Sequence, residues 1–266
     1  MMGTDKQTIM NHYTHPLEKE TASKIFDKTD KVFKEQGMET TDFFDPHQLT
    51  IAEKVINTFS DVSALFYGGL ADAERKKVGI FPKEWNVTPD QLGIEVLELR
   101  GNFRFSSISH RDVLGAVMGL GLKRDKIGDI HVMEEEHRLI IAVDESISQF
   151  ITQNLTQVKN VSVSAEAMDQ EEIPRQQEYT REIKGTVSSL RLDAVASIGF
   201  GASRSKMSQL IKAERIKLNW QPTKDPKATV SEGDVISLRG KGRVEISAIG
   251  GKSRKGRRHV TLKRYK

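Results

Sequence analysis

The stretch TVSSLRLDAVASIGFGASRSKMSQLIKAERIKLNWQPTKDPKATVSEGDVISLRGKGR, residues 186–243, decides the fold of the C-terminal part of this chain. Leu190, Leu192, Val195 and Ala196 share one apolar stripe at helical spacing, and Gly199 and Gly201 are expected to break that helix. A second helix should follow, with Ser203 or Ser205 capping its first N–H groups and Met207, Leu210 and Ile211 on its buried face. Ile216, Leu218 and Trp220 then alternate with Lys217 and Asn219, the pattern of a half-buried strand with a polar outer face.

Basic side chains fill the positions that the apolar ones leave open. Arg191 and Asp193 open the first helix, Arg204 and Lys206 open the second, and Lys212 follows further along it. Lys217 and Asn219 lie on the strand, and Arg239, Lys241 and Arg243 sit in a glycine-punctuated RGKGR turn. Fixed cations beside helix N-termini suit a regularly charged phosphate backbone, with Ser and Asn adding directional hydrogen bonds. A solvated basic face is the competing reading. It does not explain why the charges fall at two helix starts, a strand face and a turn.

The order LRLD, SRSKMSQLIKAERIKLN, EGDVISLRGKGR resembles the S4 RNA-binding domain, a compact helix–helix–strand module. The resemblance implies that Arg191, Ser203, Arg204, Ser205, Lys206, Gln209, Lys212, Lys217, Asn219, Arg239, Lys241 and Arg243 face RNA. The chain departs from the module at Glu214-Arg215, where many relatives carry a glycine before the strand.

At 266 residues the chain has room for two or three small domains. With 37% hydrophobic and 29% charged residues it reads as globular. It has no cysteine, which removes disulfides and thiolate metal sites. No apolar run is long enough to span a membrane, and MMGTDKQTIMNHYTHPLEKE lacks the apolar core of a signal peptide, so a cytoplasmic location is expected. The net charge of +4 conceals a division: from Gly185 onward there are 19 Lys and Arg against 6 Asp and Glu, and the remainder holds 22 against 31. An acidic body with a strongly basic C-terminal module is the asymmetry of a nucleic-acid-binding protein. The basic end lacks the Trp, Phe and Leu face of an interfacial helix, so no membrane partner is expected.

Four regions follow: a mainly helical region with short strands over 1–82, a middle domain over 83–168, a linker over 169–184 and the basic module over 185–266. In the first, Leu49, Ala52, Ile56 and Phe59 mark one helix face after the TTDFFDP break, and Val62–Tyr67 and Val78–Phe81 read as strands. His12 and His15 lack a third ligand, so no metal is expected. Arg75, Lys76 and Lys77 read equally as a solvated loop or a second RNA contact. From Ile94 to Met168 the periods run strand, helix, strand, strand, helix, strand, with Ser109 capping the first helix. The overall class is therefore α+β, with a ferredoxin-like, RRM-like βαββαβ middle domain. RNA-recognition motifs stack bases on strand aromatics, and RLIIAV offers none, so a scaffold or protein-docking domain is the favoured reading here. Arg111, Lys123, Arg124 and Lys126 flank the first helix of this domain, where they can meet phosphates. At the C-terminus, VEISAIG and HVTLKRY form two strands around the basic loop GGKSRKGRRH.

Catalysis finds little footing. Arg191-Leu192-Asp193 is similar to the RLD around the aspartate of pseudouridine synthases, but it lies inside the module's own first helix. GLGLK at 119–123 follows a helix and GFGAS at 199–203 joins two helices, so neither supplies the strand–turn–helix glycine loop of a methyltransferase. Serines, histidines and carboxylates are scattered. An RNA-modifying enzyme using the module to deliver substrate remains the alternative reading.

Together, TDFFDPHQ, FYGGLADAERKKVGIFP, SHRDVLGAVMGLGLKRDKIGDI and the terminal module resemble the YlmH family of bacterial S4-domain proteins. The resemblance implies a non-catalytic, cytoplasmic RNA-binding factor with no cofactor. It would bind large ribosomal subunits carrying peptidyl-tRNA, touch ribosomal RNA and tRNA, act beside other ribosome quality-control factors, and take part in C-terminal tailing of stalled chains.

Overall fold

The computed structural model describes residues 6–133, 136–169, 172–173 and 180–265, and its contacts divide into two units, Met1–Gln176 and Gln177–Lys266. Unit one begins with α1 (Lys6–Met10), α2 (Pro16–Glu35), β1 (Glu39–Thr40), α3 (Pro46–Ile56), β2 (Val62–Tyr67) and β3 (Lys77–Pro82). Helix α2 starts in a capping box, in which Leu17 N–H donates to His15 Nδ1 (3.3 Å) and His15 N–H to Glu18 (3.3 Å). His15 thus serves the helix start. Ala22, Ile25, Thr29 and Val32, at helical spacing, turn inward. Asp45 caps α3 by accepting from Gln48 N–H at 2.9 Å, with Pro46 at the first helical position, so the TTDFFDP break is a helix start. The three short strands pair in the order β1-β3-β2.

The chain continues through β4 (Ile94–Gly101), α4 (His110–Gly119), β5 (Ile127–Met133), β6 (Arg138–Asp144), α5 (Glu145–Asn154), β7 (Gln157–Val158) and β8 (Val161–Ala167). The antiparallel sheet runs β5-β6-β4-β8-β7. In βαββαβ terms this is the ferredoxin-like order, strands two, three, one and four, with β7 added at the edge. Ser109 caps α4, as its sequence position suggests. One face of β6 sends Leu139, Ile141 and Val143 under α4 and α5, into a core with Val113, Val117 and Ile151. On the other face Ile140 and Ala142 meet Phe43, Leu70 and Ala73 from the N-terminal region. Burial on both faces explains why β6 reads as a continuous apolar run. It also removes the open sheet face on which an RNA-recognition motif would stack bases. The Phe43 ring lies so close to Gly128 that a Cβ there would stand 2.7 Å from Cε1.

Unit two comprises β9 (Thr180–Val187), α6 (Leu192–Phe200), α7 (Arg204–Lys212), β10 (Ile216–Leu218), β11 (Gln221–Pro222), β12 (Val235–Leu238), β13 (Gly242–Lys252) and β14 (Arg258–Tyr265). Its antiparallel sheet has the order β11-β10-β12-β13-β14-β9. Val195, Met207 and Ile211 from the helices meet Ile216, Ile236, Val244, Ile246, Val260 and Leu262 from the sheet's inner face.

Three expectations need correction. Gly199 lies inside α6, where its lack of a Cβ lets Val244 pack against the helix; a Cβ would meet Val244 Cγ1 at 2.9 Å. Gly201 alone, at φ 62°, ends the helix. Asn219 and Trp220 are both outside the strand, which ends at Leu218, because Asn219 (φ 49°) and Trp220 (φ 65°) form a left-handed turn into β11. Finally, Thr180–Lys184 belong to β9, so a linker drawn to residue 184 overruns a strand; linker residues 170–171 and 174–179 lie outside the described residues.

Candidate nucleic-acid interface

Asp193 is 3% exposed, one residue inside α6, and both of its oxygens are engaged. Arg191, the residue before α6, donates to it through Nη2 at 2.8 Å and Nε at 3.2 Å. Arg204, the first residue of α7, approaches through Nε at 3.1 Å. One buried carboxylate therefore holds two guanidiniums at the adjacent starts of two helices. A loop from below fixes the site: Leu192 N–H donates to Ala228 C=O at 2.8 Å and Asp193 N–H to Pro226 C=O at 3.1 Å. The RLD aspartate is thus a nearly inaccessible brace between the two arginines.

Helix α7 points its positive end into this cluster. Ser203 accepts from Lys206 N–H at 3.2 Å, while Ser205, Lys206, Gln209 and Lys212 are exposed along the helix. Met207 and Ile211 lie on the opposite, buried side, so burial of the apolar stripe is what turns the basic stripe outward. Two half-exposed guanidiniums, a lysine and a helix N-terminus on one surface suit phosphate oxygens.

The remaining candidates stand elsewhere in the unit. Lys217 and Arg243 flank Ser237 in one cross-strand row on the sheet's outer face, away from α6 and α7. Arg239 and Lys241 are exposed in the β12–β13 turn, made possible by Gly240 (φ 79°) and Gly242 (φ 81°). Asn219 is committed internally: its amide donates to Asp234 Oδ1 at 2.8 Å and its oxygen accepts from Val235 N–H at 2.8 Å. Arg215 was not among the candidates, yet Arg239 N–H donates to its carbonyl at 3.3 Å, which places two exposed arginines side by side at the sheet's end. Its position directly before a strand was the available signal.

Unit one uses its basic residues differently. Arg75 is neither a solvated loop residue nor a phosphate contact: its guanidinium donates to Phe43 C=O at 2.8 Å and Ile127 C=O at 3.0 Å, and burial lowers its pKa. Arg124 also donates to Ile127 C=O and to Gly128 C=O at 3.3 Å; burial and the neighbouring Arg75 charge lower its pKa to about 10. Lys77 is 4% exposed and donates to Gly93 C=O and to Asp144, both at 3.0 Å. Lys126 pairs with Asp42 at 2.7 Å and Asp144 at 3.2 Å. Burial opposes ionisation of Asp144, but hydrogen bonds from Ser146 and Lys77 prevail and lower its pKa to about 2. Arg111 and Lys123 remain exposed beside α4. Among the described residues no group of His, Asp and Glu is arranged to hold a metal, and no helix is long and apolar enough to cross a membrane.

A two-helix layer on an antiparallel sheet, with basic residues at the second helix's start, defines an S4-domain protein, and an S4 domain model matches residues 190–236. Models described as the YlmH N-terminal region and as the putative RNA-binding domain in YlmH match residues 18–85 and 88–172. The chain is 40% identical over 233 residues, 86% of its own length and 88% of the relative's, to ribosome-associated protein quality control protein P2 of Bacillus subtilis (strain 168). It belongs to the YlmH family. The small ribosomal subunit protein uS4 of Desulfotalea psychrophila is 42% identical over 60 residues, 22% of this chain and 29% of that protein. Among solved structures, the cell division protein ylmH from Streptococcus pneumoniae has a similar fold, with a TM-score of 0.51 and 23% identity, covering 61% of this chain and 99% of the other.

Proposed function

We propose that this protein is a non-catalytic RNA-binding factor of the bacterial cytoplasm that acts on the large ribosomal subunit in ribosome-associated quality control. It meets ribosomal RNA and the tRNA of a stalled nascent-chain complex, alongside other quality-control factors, while the chain is extended by C-terminal tailing. The observation that carries the RNA-binding part is the exposed surface at the start of α7, where Asp193 holds Arg191 and Arg204 beside Lys206 and the helix's positive end. What supports the ribosomal part is the name of the Bacillus subtilis relative. Phosphate contacts dominate affinity on this reading, so binding weakens steeply with salt. The test is co-sedimentation of the purified protein with large subunits. Arg204→Ala/Lys206→Ala should lower the bound fraction several-fold at physiological salt, and undiminished binding would remove α7 from the interface.

A further inference from the structure

The outer face of the unit-two sheet carries a feature that the α7 surface does not account for. The register aligns Lys217, Ser237 and Arg243 across β10, β12 and β13, and the pairing of Val244 with Arg264 and Glu245 with Lys263 sets Tyr265 next in that row. At about 4.8 Å per strand gap, the row spans roughly 14 Å. Arg243 Cζ lies 4.1 Å from the centroid of the Tyr265 ring and Lys263 Nζ 5.2 Å from it. The Tyr265 hydroxyl donates to Glu245, which fixes the ring from its far end. Arg243, Lys263 and Tyr265 are half-buried, and α6 and α7 pack on the opposite side of the sheet.

We propose that this stack is a seat for an unpaired RNA base. The inference rests on the RNA-binding reading above and adds to it a second surface with a different ligand preference. Lysines alone satisfy phosphates and accept duplex or single strand alike. A guanidinium laid on an aromatic ring adds a flat π-surface, which a duplex with its bases already stacked has no use for. Lys217 and Lys263 on either side then hold the phosphates of the nucleotides flanking the seated base. Arg191, Arg204 and the start of α7 bind backbone, and the Arg243–Tyr265 stack selects a strand with exposed bases.

The test is fluorescence anisotropy of the full chain with an unpaired 12-nucleotide oligouridine and with a blunt RNA duplex of the same length. Tyr265→Leu should weaken oligouridine binding about tenfold and change duplex binding less than twofold. Tyr265→Phe, which keeps the ring and loses only its bond to Glu245, should cost clearly less oligouridine affinity than Tyr265→Leu. Arg243→Lys, which keeps the charge and loses the plane, should weaken oligouridine binding several-fold and spare the duplex. Equal losses on the two RNAs for Tyr265→Leu would reduce the ring to a support for Arg243 and overturn the proposal, as would no loss on either. If the parent chain binds neither RNA, the RNA-binding reading beneath it fails as well, and that outcome is separable because it needs no variant.

Discussion

Replacing Asp193 by Asn sets two arguments against each other. The substitution removes a negative charge from a basic surface, and by net charge alone RNA affinity should rise. Positional reasoning predicts the reverse. The carboxylate accepts from Arg191 at 2.8 Å and lies 3.1 Å from Arg204 Nε, and it is itself nearly inaccessible. At an effective dielectric of about 20, each such contact carries a gross attraction on the order of 4 kcal/mol. The arginine side chains are 30% and 44% exposed and re-solvate when released, so the net loss of stability is far smaller, about 1–2 kcal/mol. In a unit of this size that lowers its unfolding midpoint by roughly 5–10 °C. The larger effect is on orientation: two guanidiniums that were aligned by one carboxylate sample many rotamers, and two charge-assisted phosphate contacts weaken together. Anisotropy with a structured RNA at fixed salt should show about tenfold weaker binding, at roughly 1.4 kcal/mol per tenfold. The slope of log affinity against log salt should fall by up to about 1.8 if both contacts are lost, at about 0.9 per phosphate. Binding that tightens, or holds with an unchanged slope in a folded variant, would show that Asp193 does not position the arginines for RNA.

Glu214 occupies a left-handed backbone conformation, φ 54°, where glycine is unstrained; Glu214→Gly should raise the unfolding free energy by about 0.5–1 kcal/mol, read by thermal denaturation. Lys77→Met leaves Asp144 buried with Lys126 as its remaining paired cation among the described residues and should destabilise unit one by about 3 kcal/mol in denaturant titration, whereas a loss below 0.5 kcal/mol would deny the pair a structural role. Asp144 has a folded pKa lowered to about 2 from an unfolded value near 4, so its contribution, on the order of 2 kcal/mol, is fully present above pH 4 and disappears as pH falls towards 2; Asp144→Asn should flatten that limb of the stability–pH curve.

Local periodicity made most of the fold legible. The alternation in IEVLELR, the cap at Ser109 and the turn glycines at 240 and 242 each act within a few residues, and the structure follows them. Elements that depend on distant partners were hidden. TREIK, residues 180–184, reads as polar linker because β9 is an edge strand whose partner, β14, lies about eighty positions on and supplies the pairing that its composition does not advertise. Arg75 and Lys77 look like surface charge until the carbonyl of Ile127 and the carboxylate of Asp144 arrive from fifty or more residues away. The candidate site shows the same divide. Its residues could be chosen by type and spacing, but the bond that joins Arg191 to Arg204 runs through an aspartate that burial alone reveals. Asn219 has the right chemistry for RNA and spends it on Asp234 and Val235 instead.

Sedimentation of cell extract through a sucrose gradient, with detection of this protein and sequencing of the RNA crosslinked to it, tests the central claim most directly. The protein should migrate with free large subunits and carry crosslinks to large-subunit ribosomal RNA and to tRNA. Recovery at the top of the gradient with a single small RNA would contradict the claim and point to a dedicated RNA partner or to an RNA-modifying enzyme.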